Sequence, residues 1–233
     1  MNRELFDYLE TYLTEPRKAR LREVLALRTR HIAVVLDSIY QPHNTSAALR
    51  SCEAFGLQEV FLVERLHEQQ LSQDVAAGTD KWLTLHRHQG PTGALECIAE
   101  LRRRQFRIVV STPGQSTATP ETLDLSTPLA LVIGNETTGV TAEFLDAADE
   151  RLTIPMCGFV DSFNLSVACA LCLQDLTRRL RVSAIDWRLS PAEHEELLFE
   201  WTRASVANVA AIEERWRRDR SGAEESLQPD PCG

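Results

Sequence analysis

The feature that most constrains the fold is a series of short apolar segments that alternate with helical ones. Runs rich in Val, Ile and Leu recur from His31 onward, and several are nearly continuous, as in strands buried on both faces of a parallel sheet. The predicted strands cover residues 31–37, 59–64, 82–88, 106–112, 128–134 and 151–155. Helical segments lie between them, at 45–56, 92–104 and 141–149. The alternation predicts an α/β domain with a mostly parallel sheet covered by helices.

At both ends of the chain the pattern changes to helix alone. Residues 4–30 predict one or two helices, a long helix covers about 161–181, and 190–218 starts with Ser-Pro and continues with helical periodicity. The polar end of the chain contains two prolines and predicts a flexible acidic tail. The expected organisation is a basic helical extension at 1–30, the α/β domain at 31–182, a helical extension at 183–218 and the tail at 219–233.

Composition excludes several classes of protein. The 233 residues carry a net charge of −9, which argues against sequence-independent coating of nucleic acid. No apolar run is long enough to cross a bilayer, and the first residues are too acidic for a secretory signal, so we expect a cytoplasmic protein. The six cysteines are expected to be reduced and buried. Cys169 and Cys172 form a C-x-x-C, but no second pair supports a metal site.

Residues 16–31 are basic, although the chain as a whole is acidic. They contain six Lys and Arg residues and a single acidic residue, Glu23. Almost all of this positive charge is guanidinium, which suits bidentate contacts with phosphate. The residues alone leave two interpretations open, a solvated amphipathic helix with Leu21, Val24 and Leu25 facing the core, and an RNA-binding surface. The basic residues are Arg17, Lys18, Arg20, Arg22, Arg28 and Arg30.

Two segments of unusual composition follow predicted strands, where ligands bind in open α/β sheets. In 37–56, Asn44 precedes a helix for which Thr45 is a candidate N-cap, and Arg50 follows at a spacing that suits an anion near the helix N-terminus. In 131–141, a buried strand breaks at Gly134 and the chain turns again at Gly139, which lets the backbone approach a ligand closely. This loop has neither a Walker nor a dinucleotide-binding fingerprint.

A third segment, Gly158–Leu173, places Ser162, Asn164 and Ser166 before the apolar half of a buried helix. Ser162 is a good N-cap for that helix, whereas Asn164 is unusual inside a first turn. Polar residues at the start of a buried helix are either caps or parts of a site, and both interpretations stay open from this segment alone.

The three segments, taken in order, resemble the three motifs of the SPOUT-superfamily RNA 2′-O-ribose methyltransferases, and in particular the TrmH family. The matching stretches are PHNTSAALRSCEAFG, LVIGNETTGV and IPMCGFVDSFNLSVACAL, and the likeness extends to 76–88 and to both helical extensions. The resemblance implies a C-terminal trefoil knot, S-adenosylmethionine (AdoMet) as the cofactor, and a homodimer with the site near the interface. It also implies tRNA as the partner, methylated at guanosine 18 of the D-loop, with neither DNA nor membrane involved.

The resemblance also implies roles for individual residues. The expected catalytic residues are Arg50, Asn44, Ser162, Asn164 and Glu136. The expected cofactor contacts are Thr112, Gly134, Asn135, Glu136, Ile154, Met156 and Phe163. The basic residues between 16 and 31 would contact tRNA phosphates. Phe163 stands where relatives usually have leucine, which enlarges a side chain beside the expected adenine pocket.

Two alternatives accompany this prediction. One is a 2′-O-methyltransferase that acts on ribosomal RNA, and the other is an RNA-binding or assembly factor without catalysis. Relatives that act on ribosomal RNA often carry a small RNA-binding domain before the catalytic one. Only about 30 residues precede the first predicted strand here, which favours the tRNA interpretation.

Overall fold

The computed structural model describes residues 2–64, 78–114 and 116–225. The chain forms two compact units, one of which comprises Leu27–Leu189. The other is built from both ends of the chain, before Leu27 and after Leu189. The first unit is the predicted α/β domain, and the second is helical.

The α/β unit contains a six-stranded sheet in which every strand pairs in parallel with its neighbours. Its strands are β1 (Ile32–Asp37), β2 (Glu59–Glu64), β3 (Thr84–Gln89), β4 (Arg107–Ser111), β5 (Leu129–Ile133) and β6 (Glu150–Leu152). They lie in the order β3-β2-β1-β5-β4-β6. All residues of β1, β2 and β5 are buried, which explains why their sequences are nearly continuous in apolar residues. The predicted fold class is confirmed.

Helices cover both faces of the sheet. The helices of the chain are α1 (Arg3–Glu10), α2 (Glu15–Leu25), α3 (Pro42–Ala54), α4 (Gly93–Arg103), α5 (Ala142–Ala147), α6 (Leu165–Val182), α7 (Pro191–Ser205) and α8 (Val209–Glu225). Alternate residues of β1 and β2 pack against α3 and α6 on one face, and the others pack against α4 and α5 on the opposite face. The site described below therefore stands on a rigid three-layer core.

Several helix boundaries differ from the sequence-based prediction. Helix α3 begins at Pro42, and Thr45 is buried inside it rather than capping it. Proline at the first helical position has its φ already set for a helix, which explains the earlier start. Gly56 ends the helix as predicted, because its φ of +79° favours a residue without Cβ.

The C-terminal extension also differs from the single long helix expected. It breaks between α7 and α8, where Asn208 has a φ of +53°. Helix α8 then continues to Glu225, so residues 219–225 are helical where the sequence predicted a flexible tail. Residues 226–233 lie outside the described residues. No helix in the described ranges is long and apolar enough to cross a membrane.

Four of the five cysteines in the described residues are buried, as predicted. Burial raises the pKa of the Cys172 thiol to about 12, so this member of the C-x-x-C is chemically inert. Cys157 is exposed in the loop after β6, and the prediction of burial is wrong there because the apolar strand ends earlier than expected. Within the described residues, no group of His, Cys, Asp and Glu side chains could hold a metal ion.

A buried ion-pair cluster lies beside β3, which is one of the two edge strands of the sheet. Its centre is the Glu59 carboxylate, whose side chain is 1% exposed and contacts His86 at 2.5 Å, Arg30 at 2.7 Å and Arg104 at 2.9 Å. Burial raises the pKa of Glu59, but the hydrogen bond from His86 and the charges of the two arginines outweigh it and hold that pKa below its usual value. The cluster joins β2, β3 and the end of α4.

Candidate active site

A cavity of about 590 Å³ opens beyond the carboxyl ends of β4, β5 and β6. Its walls are formed by three loops, at 111–114, 133–140 and 153–165. This is the edge of an open α/β sheet where ligands bind. All seven residues predicted to contact the cofactor line it, namely Thr112, Gly134, Asn135, Glu136, Ile154, Met156 and Phe163. Ser162, one of the predicted catalytic residues, lines it as well.

One wall of the cavity is a tight turn between Gly134 and Val140. Asn135 and Gly139 exchange two backbone hydrogen bonds, of 3.0 and 2.8 Å, and the Asn135 side chain accepts a further bond from the Thr137 amide at 2.8 Å. A Cβ added at Gly134 would lie 2.4 Å from the carbonyl carbon of Gly139 and from the nitrogen of Val140. Only glycine fits at this position without moving the wall, which explains why the strand breaks there.

Two residues at the end of β1 fix this wall, and neither was predicted from the sequence. The buried carboxylate of Asp37 accepts hydrogen bonds from the Thr141 amide at 2.7 Å and from the Ser38 hydroxyl at 3.1 Å. The Ser38 carbonyl in turn accepts a bond from the Asn135 side chain at 3.2 Å. An aspartate that directly follows a run of buried apolar residues was the available signal.

The three segments of the site meet at the Glu136 carboxylate. Its Oε2 accepts a hydrogen bond from the side-chain amide of Asn44 at 3.2 Å, and its Oε1 accepts one from that of Asn164 at 2.5 Å. Oε1 also accepts from the backbone amide of Leu165, the first residue of α6, at 3.3 Å. The N-termini of α3 and α6 are therefore joined to the loop after β5 by one carboxylate.

Both asparagine side chains use all their amide donors inside this cluster. Asn44 donates to Gln41 at 2.8 Å as well as to Glu136, and its oxygen accepts from Asn164 at 3.2 Å. Asn164 is the N-cap of α6, because its oxygen accepts from the Ser166 amide at 3.0 Å. The helix thus begins at Leu165, and the predicted cap at Ser162 is wrong: Ser162 lies three residues before the helix.

The charged side chains that line the cavity are negative. Glu136 and Asp161 are the charged side chains among the lining residues, and no Lys, Arg or His of the described chain lines the cavity. Apolar surface comes from Ile133, Ile154 and Phe163. The walls therefore suit a ligand with positive charge and an apolar or aromatic part.

Arg50 lies apart from this cluster. It is exposed on α3 and, within the described residues, makes no hydrogen bond or ion pair and does not line the cavity. Six residues of helix separate it from Asn44, or about 9 Å along the axis. The structure thus brings Asn44, Glu136 and Asn164 together and places Ser162 in the cavity wall, but it does not bring Arg50 to them.

Four of the six basic residues predicted to contact RNA belong to α2. Lys18 pairs with Glu15 at 2.7 Å, Arg20 pairs with Glu23 at 2.8 Å, and Arg22 pairs with Glu10. Arg17 donates to the Ser205 hydroxyl at 3.2 Å. Both members of the Arg20–Glu23 pair are exposed, and exposed pairs contribute at most about 1 kcal/mol, so Arg20 can exchange its partner for a phosphate. Leu21 and Leu25 form the buried face of the helix, as the amphipathic interpretation predicts.

The prediction of RNA contact is wrong for Arg28. Its side chain has no exposed surface, and it donates to the Glu53 carboxylate at 2.9 Å and to the Leu57 carbonyl at 2.7 Å. Arg28 lies beyond the end of α2 and belongs to the core of the α/β unit. Arg30 is likewise held by Glu59 in the cluster beside β3, so its charge stabilises the sheet edge.

Comparison with known proteins agrees with the motifs. The SpoU rRNA Methylase family matches residues 31–174. This chain belongs to the SpoU methylase family. A relative in this family, the tRNA (guanosine(18)-2′-O)-methyltransferase of Borreliella burgdorferi, is 36% identical over 205 residues, which cover 88% of this chain and 93% of the relative.

Solved structures of RNA-modifying enzymes are similar as well. The A. aeolicus TrmH/SpoU tRNA modifying enzyme has a TM-score of 0.73 and 29% identity, covering 83% of this chain and 98% of that enzyme. An AdoMet-bound rRNA methyltransferase from Sinorhizobium meliloti has a TM-score of 0.56 and 25% identity, covering 70% of this chain and 61% of that one. The family prediction is confirmed, whereas the trefoil knot stays a prediction.

Proposed function

We propose that this chain transfers the methyl group of AdoMet to the 2′-hydroxyl of guanosine 18 in tRNA. The observation that carries the proposal is the convergence of three separate segments of the chain on one cavity. All seven residues expected to contact the cofactor line that cavity, and Glu136 on its wall binds Asn44 and Asn164. The relative from B. burgdorferi, which carries that activity in its name, matches nearly the whole length of both chains.

The cavity fits AdoMet in size and charge. Pockets for ligands of this size have volumes of about 300–1,000 Å³, and this one has about 590 Å³. AdoMet carries a sulfonium and an ammonium group, which suit the carboxylates of Glu136 and Asp161, and its adenine suits the apolar side chains of Ile154 and Phe163. When bound, AdoMet supplies an electrophilic methyl group to an oxygen nucleophile held close to it.

The residues around the cavity have different roles in positioning the site and in binding the substrates. Glu136 holds the starts of α3 and α6 in place through its bonds to Asn44 and Asn164, and these two side chains act through that carboxylate. The Ser162 hydroxyl lies in the wall, where it can bind cofactor or ribose. Arg50 is exposed, and its planar guanidinium group offers several hydrogen-bond donors, so it suits the orientation of the ribose and its phosphate.

A homodimer is part of the proposal. Phe159 and Val160 are fully or largely exposed beside the cavity, and Val167 and Leu171 expose one face of α6 four residues apart. Exposed apolar side chains in such a group are typical of an interface. The Leu171→Glu substitution should shift the protein toward monomer in sedimentation velocity. Leu95→Glu, at an exposed leucine of α4, is the matched control, and a monomeric unaltered protein would contradict the dimer.

Methyl transfer from labelled AdoMet tests the activity. We expect label in tRNA, recovered after digestion as 2′-O-methylguanosine. A transcript with 2′-deoxyguanosine at position 18 is the matched control, since it differs by the accepting oxygen alone. Label found exclusively in ribosomal RNA, or on a base, would contradict the proposal and support the first alternative. No binding of AdoMet in calorimetry would support a non-catalytic RNA-binding protein instead. A tRNA substrate also implies a cytoplasmic location.

A further inference from the structure

The side-chain amide of Asn164 lies between two different sets of partners. Its oxygen accepts hydrogen bonds from the Ser166 hydroxyl at 2.6 Å and from the Ser166 backbone amide at 3.0 Å. Its nitrogen donates to Glu136 at 2.5 Å and to Asn44 at 3.2 Å. Every hydrogen-bonding position of this side chain that points into the cluster is thus used.

The two ends of a carboxamide have nearly the same shape but opposite hydrogen-bonding character. If the Asn164 amide turned by 180°, its oxygen would face the Glu136 carboxylate, and its NH₂ group would face the Ser166 backbone amide. Acceptor would then oppose acceptor and donor would oppose donor, so the two bonds that Asn164 donates, to Glu136 and to Asn44, would be lost. The placement of this one amide therefore decides whether Asn164, the N-cap of α6, stays bonded to Glu136 and Asn44.

We infer that Ser166 is a positioning residue whose hydroxyl holds the Asn164 side chain in the place from which its amide binds Glu136 and Asn44. Its hydroxyl makes the shorter of the two bonds to the Asn164 oxygen. Ser166 does not line the cavity, so it acts through Asn164 rather than on a ligand. The kinetic consequence of this inference rests on the proposed methyltransferase activity.

A purely structural role for Ser166 predicts a different result. In that case its hydroxyl only stabilises the first turn of α6, and removing it lowers thermal stability without a specific kinetic effect. Thr177, further along the same helix, offers a matched control. Its hydroxyl donates to the Leu173 carbonyl at 2.6 Å, is buried, and lies away from the cluster.

The test compares Ser166→Ala, Ser166→Thr and Thr177→Val in the full chain. Since one hydrogen bond corresponds to a factor of about 3 to 10, Ser166→Ala should lower kcat for tRNA methylation by about that factor while KM for AdoMet changes less than twofold. Ser166→Thr retains the hydroxyl and should restore kcat. Thr177→Val should lower Tm with kcat unchanged. Unchanged kcat in Ser166→Ala, or equal kcat losses in Ser166→Ala and Thr177→Val, would overturn the inference.

A second measurement separates this inference from the proposed activity. The side-chain NH₂ signals of Asn164 can be assigned in ¹⁵N NMR spectra by their loss in Asn164→Asp. In Ser166→Ala these signals should shift and their protons should exchange faster with water, whereas Thr177→Val should leave them unchanged. If the unaltered protein methylates no RNA, the proposed activity fails, and the NMR result still decides the inference: identical Asn164 signals in all variants would refute it.

Discussion

Replacing Gly134 by alanine should distort the wall of the cavity. The added Cβ would lie 2.4 Å from two backbone atoms, the carbonyl carbon of Gly139 and the nitrogen of Val140, and 2.5 Å from the Gly139 carbonyl oxygen. Nonbonded carbon atoms pack at about 3.5–4.0 Å, so the wall would have to move by about 1 Å. Backbone atoms cannot turn aside as a flexible side chain can.

The magnitude follows from how firmly the wall is held. Overpacking a well-packed site costs about 1–3 kcal/mol. The paired backbones of Asn135 and Gly139 and the bond from Thr141 to Asp37 oppose any movement, which favours the upper part of that range. For a protein of this size, each kcal/mol lowers Tm by about 2–4 °C, so a cost of about 2–3 kcal/mol lowers Tm by about 4–12 °C.

Thermal unfolding followed by circular dichroism, with AdoMet binding measured by calorimetry, tests this reasoning. Gly158→Ala is the matched control, because a Cβ there meets nothing within 4 Å and the residue belongs to another wall loop. The Gly134→Ala variant should lose both Tm and affinity, and Gly158→Ala should lose neither. A Gly134→Ala protein with the Tm and AdoMet affinity of the unaltered chain would refute the steric argument.

Other substitutions test the charged groups. Arg28→Ala should lower the free energy of unfolding, measured in urea, by about 3 kcal/mol, because it breaks a buried ion pair. The control Arg20→Ala removes an exposed charge and should change that free energy by less than about 1 kcal/mol. Equal losses would contradict the structural role of Arg28. Asp161→Asn should weaken AdoMet binding about fivefold in calorimetry and weaken binding of the thioether product less, because the product keeps the ammonium group but lacks the sulfonium charge, and added salt should reduce the difference. Burial raises the pKa of Glu59, but the hydrogen bond from His86 and the charges of Arg104 and Arg30 outweigh burial. The pKa of Glu59 therefore lies below its usual value. The ionised Glu59 carboxylate therefore stabilises the fold at pH values above its usual pKa of 4.5, and this stabilisation is lost as pH falls. Glu59→Gln should reduce the dependence of the free energy of unfolding on pH in the acid range. An unchanged dependence would contradict this.

The strands were predictable because their signal is local. Each lies where Val, Ile and Leu run together, and burial on both faces demands such a run. The order of the strands is not local, since β1 has its sequence neighbour β2 on one side and the distant β5 on the other. A run of apolar residues indicates that a strand is buried, but it does not indicate which strands pair with it.

For the site, too, some features were predictable from the sequence and others were not. The residues predicted to contact the cofactor were implied by the resemblance of the three motifs, and all of them line the cavity. The start of α6 was misplaced because Ser162 and Asn164 are both good caps by type, and Glu136, from a different segment, selects Asn164. Arg28 was mistaken for a surface charge because the Leu57 carbonyl that binds it lies far along the sequence.

The parallel pairing of β1 has a consequence for synthesis on the ribosome. Val34 can pair with Val60 soon after both leave the exit tunnel, but the other edge of β1 must wait until Leu129 and the rest of β5 emerge. During that interval a strand with six buried residues has an unpaired edge, the kind of surface that recruits chaperones or joins another nascent chain. At about 5–20 residues per second this interval lasts roughly 5–20 s, so the central position of β1 makes these first seconds outside the ribosome, rather than the finished sheet, the stage most exposed to misassembly.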